Sequence, residues 1–174
     1  MKREHRRTGL LLAALALAAA GCAPSGQDHG QHQTSAGRQA EVAAKGRAVM
    51  PFDLDRTTHR FTKTATGGVQ TVTADDPSDD PSDVRQITLI RQHLTEEVTA
   101  FREGDFGDPA SIHGDHMPGL HDLQEGHTRI DIRYTQMPAG ARITYTTGET
   151  ALVKALHAWF DAQVSDHGRH AEHG

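Results

Sequence analysis

Cysteine occurs once in the 174 residues, at Cys22. A disulfide within the chain is therefore excluded, and so is a thiolate-pair metal site. Aromatic residues are scarce, at five Phe, two Tyr and one Trp. Cationic side chains are in deficit, with 18 Lys+Arg against 23 Asp+Glu. Phosphate backbones are bound by clustered cations, so nucleic acid is excluded as a partner. The one long apolar run, residues 10–20, falls short of the roughly 20 residues that cross a bilayer comfortably. Catalytic signatures are missing too. There is no GxSxG, no HExxH and no Walker-type glycine loop. Ser111 precedes His113 by two residues, too loose a pair to assign as nucleophile and base. The acids of DDPSDDPSD, residues 75–83, lack the spacing and closing glutamate of a calcium-binding EF-hand. These absences point away from an enzyme.

What is present begins with a targeting layout. Lys2, Arg3, Arg6 and Arg7 precede the apolar run, which ends in Ala19-Ala20-Gly21-Cys22. That ending resembles a bacterial lipobox, with Ala19 where an aliphatic residue is usual. Residues 1–21 then read as a signal peptide, and Cys22 as the lipidated first residue of an extracytoplasmic protein held to the cell membrane. Each buried lipid methylene contributes about 0.8 kcal/mol to that anchoring. Lipidation would consume the only thiol, leaving no cysteine nucleophile. The mature chain would carry 14 basic and 22 acidic residues, a formal charge of −8, and 12 of the 13 histidines. Such a balance suits cations.

Residues 22–48 are rich in small and polar side chains and read as a disordered tether. A single α+β domain is expected over residues 49–168, and a disordered histidine-bearing tail over 169–174. Within the domain, two β-rich runs flank Gly67-Gly68 and form a hairpin. The acidic run 75–83 then leads into a helix whose apolar positions are Val84, Ile87, Ile90, Leu94, Val98 and Phe101. Residues 106–126 are irregular, with a turn of helix around Leu120 and Leu123. A second hairpin alternates through Ile130, Ile132 and Tyr134, turns at Pro138-Ala139-Gly140, and returns through Ala141, Ile143 and Tyr145. A second helix follows, with Leu152, Val153, Leu156, Phe160 and Val164 on its apolar face. The order strand, strand, helix thus occurs twice. It predicts a four-stranded antiparallel sheet with two helices on one face.

Histidine in excess is the chemical hint. Residues 112–121, IHGDHMPGLH, place His113, His116, Met117 and His121 around one proline and two glycines. Imidazole and thioether suit copper or zinc, and a chain without thiols has to use them. His157 falls on the apolar stripe of the second helix. His93 flanks the first helix's stripe, with Glu97 one turn on to orient its ring. His59 shares a strand face with Phe61. His167 follows Asp166 at a helix C-terminus, where the helix dipole favours a protonated ring. His29 and His32, and His170 and His173, lie in the two tails and could capture metal loosely.

The strings FDLDRTTHRF, GGVQTVTADDP, IRQHL, FREGDFGDPASIH, PAGARITYTT and LHAWFDAQVSDH together resemble a family of small bacterial proteins. Members of that family often carry the label aspartate carbamoyltransferase. The resemblance spans about residues 49–168 and lends no functional residues. The label fails on chemistry. Carbamoyl phosphate is held by an STRTR-type segment at a helix N-terminus, whereas the nearest string here, residues 55–60, leads into a strand. The expectation is therefore a lipid-anchored module that binds or buffers zinc or copper through histidines. The alternative is an envelope interaction module whose histidines are structural.

Overall fold

The computed structural model describes residues 34–174. The basic n-region, the apolar run, Cys22, His29 and His32 lie outside the described residues. Among the described residues, five α-helices and five strands follow one another in an α+β arrangement. Strands β1 (Thr57–Thr64) and β2 (Gly67–Ala74) form the first hairpin, and β3 (Asp131–Met137) and β4 (Gly140–Thr146) the second. The hairpins join through an antiparallel β2–β4 pairing, and a short strand β5 (Ala171–His173) adds to the β1 edge in parallel. The sheet order is β3-β4-β2-β1-β5.

The four expected strands are present and mutually antiparallel, but the sheet has five strands and is mixed. The fifth comes from the tail expected to be disordered. Its backbone is held by β1, where Gly174 N–H donates to the Phe61 carbonyl at 3.1 Å. An Arg60–Glu172 ion pair lies along the same edge. Three residues of polar sequence carry no strand pattern of their own; the open edge of β1 supplies it.

Helix α1 (Ser35–Val49) is the second departure, since it occupies about half of the stretch read as a tether. Thr34 caps it by accepting from the Gly37 N–H at 3.2 Å, and Glu41 and Lys45 pair one turn apart at 2.7 Å. Its alanines favour helix, yet only Val42 and Gly46 are buried, so hydrophobic periodicity could not reveal it. It packs against the helices of residues 107–113 and 150–167.

Helix α2 (Pro81–Arg102) begins with Asp80 as cap and Pro81 in its first turn. Ile90, Leu94, Val98 and Phe101 are buried as expected, whereas Val84 is 52% exposed. The helix start is secured instead by Asp83, which accepts from the Ser78 hydroxyl at 2.5 Å and pairs with Arg56. The span expected to be irregular holds two short helices, α3 (Gly107–His113) and α4 (Leu120–Gly126). Gly119 precedes α4 at φ 78, and a side chain there would meet the Ala155 carbonyl oxygen at 2.1 Å, so only glycine lets α4 approach this closely.

Helix α5 (Thr150–His167) buries Leu152, Ala155, Leu156, Trp159, Phe160 and Gln163. The stripe is rotated from the expected one, leaving Val153, His157 and Val164 at its margin. Helices α2 and α5 lie on the buried face of the sheet. Between them Phe101 stacks on Phe106 at 4.4 Å, and Trp159 meets Tyr145 edge-on at 5.9 Å. Among the described residues, no helix is long and apolar enough to cross a membrane.

Candidate metal centre

Histidines from four elements line one small cavity of about 20 Å³, room for one water or one metal ion. Each arrives by the logic of its own element. On β1 the alternation that buries Phe61 also buries His59, which is 5% exposed. On α2 the stripe of Ile90, Leu94 and Val98 carries His93 and Glu97 inward, 5% and 7% exposed. His113 ends α3 and His167 ends α5. Gly168, at φ 56, turns the chain away immediately after His167 and frees it to run back as β5.

The ring centroids of His59 and His167 stand 5.4 Å apart, and those of His113 and His167 stand 4.8 Å apart. Imidazoles sharing one tetrahedral ion, with metal–nitrogen bonds of about 2.0–2.1 Å, would have centroids roughly 5 Å apart. His93 lies across the Phe52 ring, whose centroid is 6.1 Å from His59 and 5.6 Å from His93. As the side chains stand, no three His, Cys, Asp or Glu among the described residues form a finished ligand set. His59 Nε2 and His93 Nε2 are buried and have no hydrogen-bond partner.

The other two rings are oriented from outside. His113 Nδ1–H donates to Asp166 Oδ2 at 2.9 Å, and Gln163 is a second side-chain partner of the same imidazole. Asp166 is gripped by Arg38 of α1 at 2.6 Å, and the same guanidinium donates to the His113 carbonyl at 2.6 Å. His167 Nε2–H donates to Gln163 Oε1 at 3.1 Å, leaving Nδ1 free. Met50, at the end of α1, contributes to the cavity wall.

Burial controls the charges. It pushes the His59 imidazole down to about 4, assisted by His93, His170 and His113. His167 is driven well below the usual range by burial and then by His59, His113 and His170. The dipole that was expected to protonate His167 is outweighed by desolvation. Burial also lowers His93 against the pull of Asp108 and Glu96, and lowers His113 despite Asp166. For Asp166 burial acts upward, but hydrogen bonds from Arg38 and His113 outweigh it and hold the carboxyl below its ordinary range. Glu97 is pushed up to about 8 by burial and by Asp108. Its Oε1 lies 3.6 Å from His93 Nε2, so the two are neighbours at the one-turn spacing but the expected ring-orienting hydrogen bond is not made. The four imidazoles are thus neutral at neutral pH, the form in which a ring nitrogen has a lone pair to give.

The central loop does not gather its side chains. His113 points inward, while His116 and His121 are exposed and Met117 is packed into the apolar core. His157 is not in the cavity either. Its Nε2 lies 3.1 and 3.0 Å from the carbonyls of Thr64 and Gly67, so it ties α5 to the first hairpin turn. His93 and His157 therefore share no pocket. Of the eight side chains singled out as candidate ligands, His59, His93, His113 and His167 come together. Arg38, Asp166 and Gln163 were not foreseen. Only Asp166 carried a sequence signal, as the neighbour of His167.

No protein-family model matches the chain, and no curated protein and no solved structure matches it either.

Proposed function

We propose that this chain binds one transition-metal ion, zinc or copper, through His59, His93, His113 and His167, as the folded part of a lipid-anchored extracytoplasmic protein. The observation that carries the reading is the pair of buried, partnerless nitrogens, His59 Nε2 and His93 Nε2, on a cavity of about one ion's size. Leaving such a group unsatisfied costs about 1–3 kcal/mol, and a ligated metal removes that cost. The carboxylate behind His113 supports the same reading, because metal-bound imidazoles characteristically give their second N–H to such an acceptor. A purely structural role accounts well for His157 but leaves His59 and His93 without a reason to be polar. The lipid anchor rests on Cys22 and the segment before it, and the likeness to the small bacterial family adds no activity. Carbamoyl transfer is not part of this proposal.

Calorimetric titration of the full mature chain with Zn(II), with Cu(II), and with Cu(I) under reducing conditions tests the proposal. One equivalent of at least one ion is expected to bind tightly. At a hundredfold excess over Kd it should stabilise the fold by about 2.7 kcal/mol. Several weak equivalents that vanish when His116, His121, His170 and His173 are replaced would mean surface capture only, and the proposal would fail.

A further inference from the structure

Two surface clefts adjoin the histidine cavity, and each shares one wall residue with it. One is reached past His113 and contains Arg38, whose charge is already taken up by Asp166 at 2.6 Å, together with the exposed Asp115. The other, of about 140 Å³, is reached past Glu97 and is lined by Glu96, Asp105 and Asp108, with no basic side chain among its described wall residues. Glu96, Asp105 and Asp108 are exposed, and Asp105 Oδ1 accepts the Gly107 N–H at 2.8 Å while remaining at the rim. Glu97 differs from them. It is 7% exposed, accepts no hydrogen bond among the described residues, and has His93 Nε2 as its neighbour at 3.6 Å on the cavity side. That nitrogen is itself buried and partnerless. A carboxylate rim, a buried carboxyl group held protonated in the metal-free protein and a buried imidazole without a hydrogen bond thus succeed one another from solvent to cavity. Besides His93, the groups acting on or beside Glu97 are Asp108 on α3, the Tyr145 hydroxyl on β4 and, on the same cleft wall, Glu96 on α2. None is cationic when the imidazole is neutral.

Resting on the metal reading above, we infer that the ion reaches the cavity through the Glu96–Asp105–Asp108 cleft and that Glu97, the wall shared by cleft and cavity, is the ligand that hands it to His93. Oxygen donors hold a divalent ion loosely and imidazoles hold it more firmly, so affinity rises along the path. The rim carboxylates raise the local cation concentration and hence the association rate, an effect that salt screens.

Stopped-flow association of Zn(II) with the full chain, read by displacement from a chromophoric chelator, tests the route. Asp105→Asn with Asp108→Asn is expected to slow association about tenfold at low ionic strength, with the difference shrinking in high salt. Glu97→Gln should slow association and also speed dissociation. The control pair Asp75→Asn with Asp76→Asn, on the turn before α2, should leave both rates unchanged. Far-ultraviolet circular dichroism establishes that each variant is folded. Wild-type kinetics in the Asp105/Asp108 and Glu97 variants would overturn the route, as would an equal slowing by the control pair. Tight Zn(II) binding with either result leaves the histidine site standing, whereas no binding by the wild-type chain removes the site and the route together.

Discussion

His59→Ala is expected to weaken metal binding by at least about a hundredfold without unfolding the protein. The ring contributes one ligand to the ion, and even second-layer partners of a ligand typically change affinity about 10–100-fold. His59 is the residue to remove because it is central. It lies 5.4 Å from His167 by ring centroid, and both it and His93 lie against the Phe52 ring. Its Nε2 has no hydrogen bond to lose, so truncation leaves no other group stranded. Competition against a chelator of known affinity measures the change. Asp166→Asn serves as the graded comparison, since it keeps the bulk but weakens the acceptor behind His113; it should cost about tenfold. His157→Ala should leave affinity unchanged and lower stability instead, because that ring bonds only the carbonyls of Thr64 and Gly67. Equal losses from His59→Ala and His157→Ala would contradict the assignment.

In the metal-free protein, His59 should make the fold acid-labile between pH about 6.5 and 4. Burial lowers its imidazole from 6.5 to about 4, so within that window the unfolded chain binds a proton that the folded chain refuses. Stability from this group is therefore complete above 6.5 and is lost as pH falls towards 4, by about 3 kcal/mol in all. Glu97 works in the opposite sense. Its folded carboxyl is raised to about 8, so its contribution falls as pH rises through the window from 4.5 to 8. The whole-protein profile sums these terms and does not isolate His59. Comparison with His59→Phe does: urea midpoints of wild type and variant, taken at pH 7 and at pH 4.5, should show the difference shifting by 2–3 kcal/mol in the variant's favour on acidification. A constant difference would show that the ring is not buried neutral. Saturating metal should abolish the wild-type lability, because the ion holds the lone pair against the proton.

The two hairpins and the two long helices are legible in the sequence because each carries a period. Thr57, His59 and Phe61 alternate inward, and Ile90, Leu94, Val98 and Phe101 return every helical turn. Helix α1 carries no such stripe, and β5 borrows its conformation from the edge of β1, so neither shows in composition or periodicity. The site is legible as a set of candidates and not as a selection. The clustered histidines of residues 112–121 are close in sequence, but the turn at Gly114 and the start of α4 send His116 and His121 outward. The four that meet are separated by 20 to 54 residues between neighbours along the chain, and only the tertiary fold brings β1, α2, α3 and α5 to one point. Arg38 was hidden for the same reason as its helix. Glu97 was visible through its one-turn spacing from His93, though not as the wall between a cavity and an acidic cleft.

The most direct test of a four-histidine centre is X-ray absorption spectroscopy of the full chain loaded with one equivalent of Zn(II) or copper. The account requires three to four imidazole nitrogens, at about 2.0–2.1 Å for zinc, with any remaining position taken by a light oxygen donor. Fewer than two imidazoles, or a first shell dominated by water and carboxylate oxygens, would contradict it.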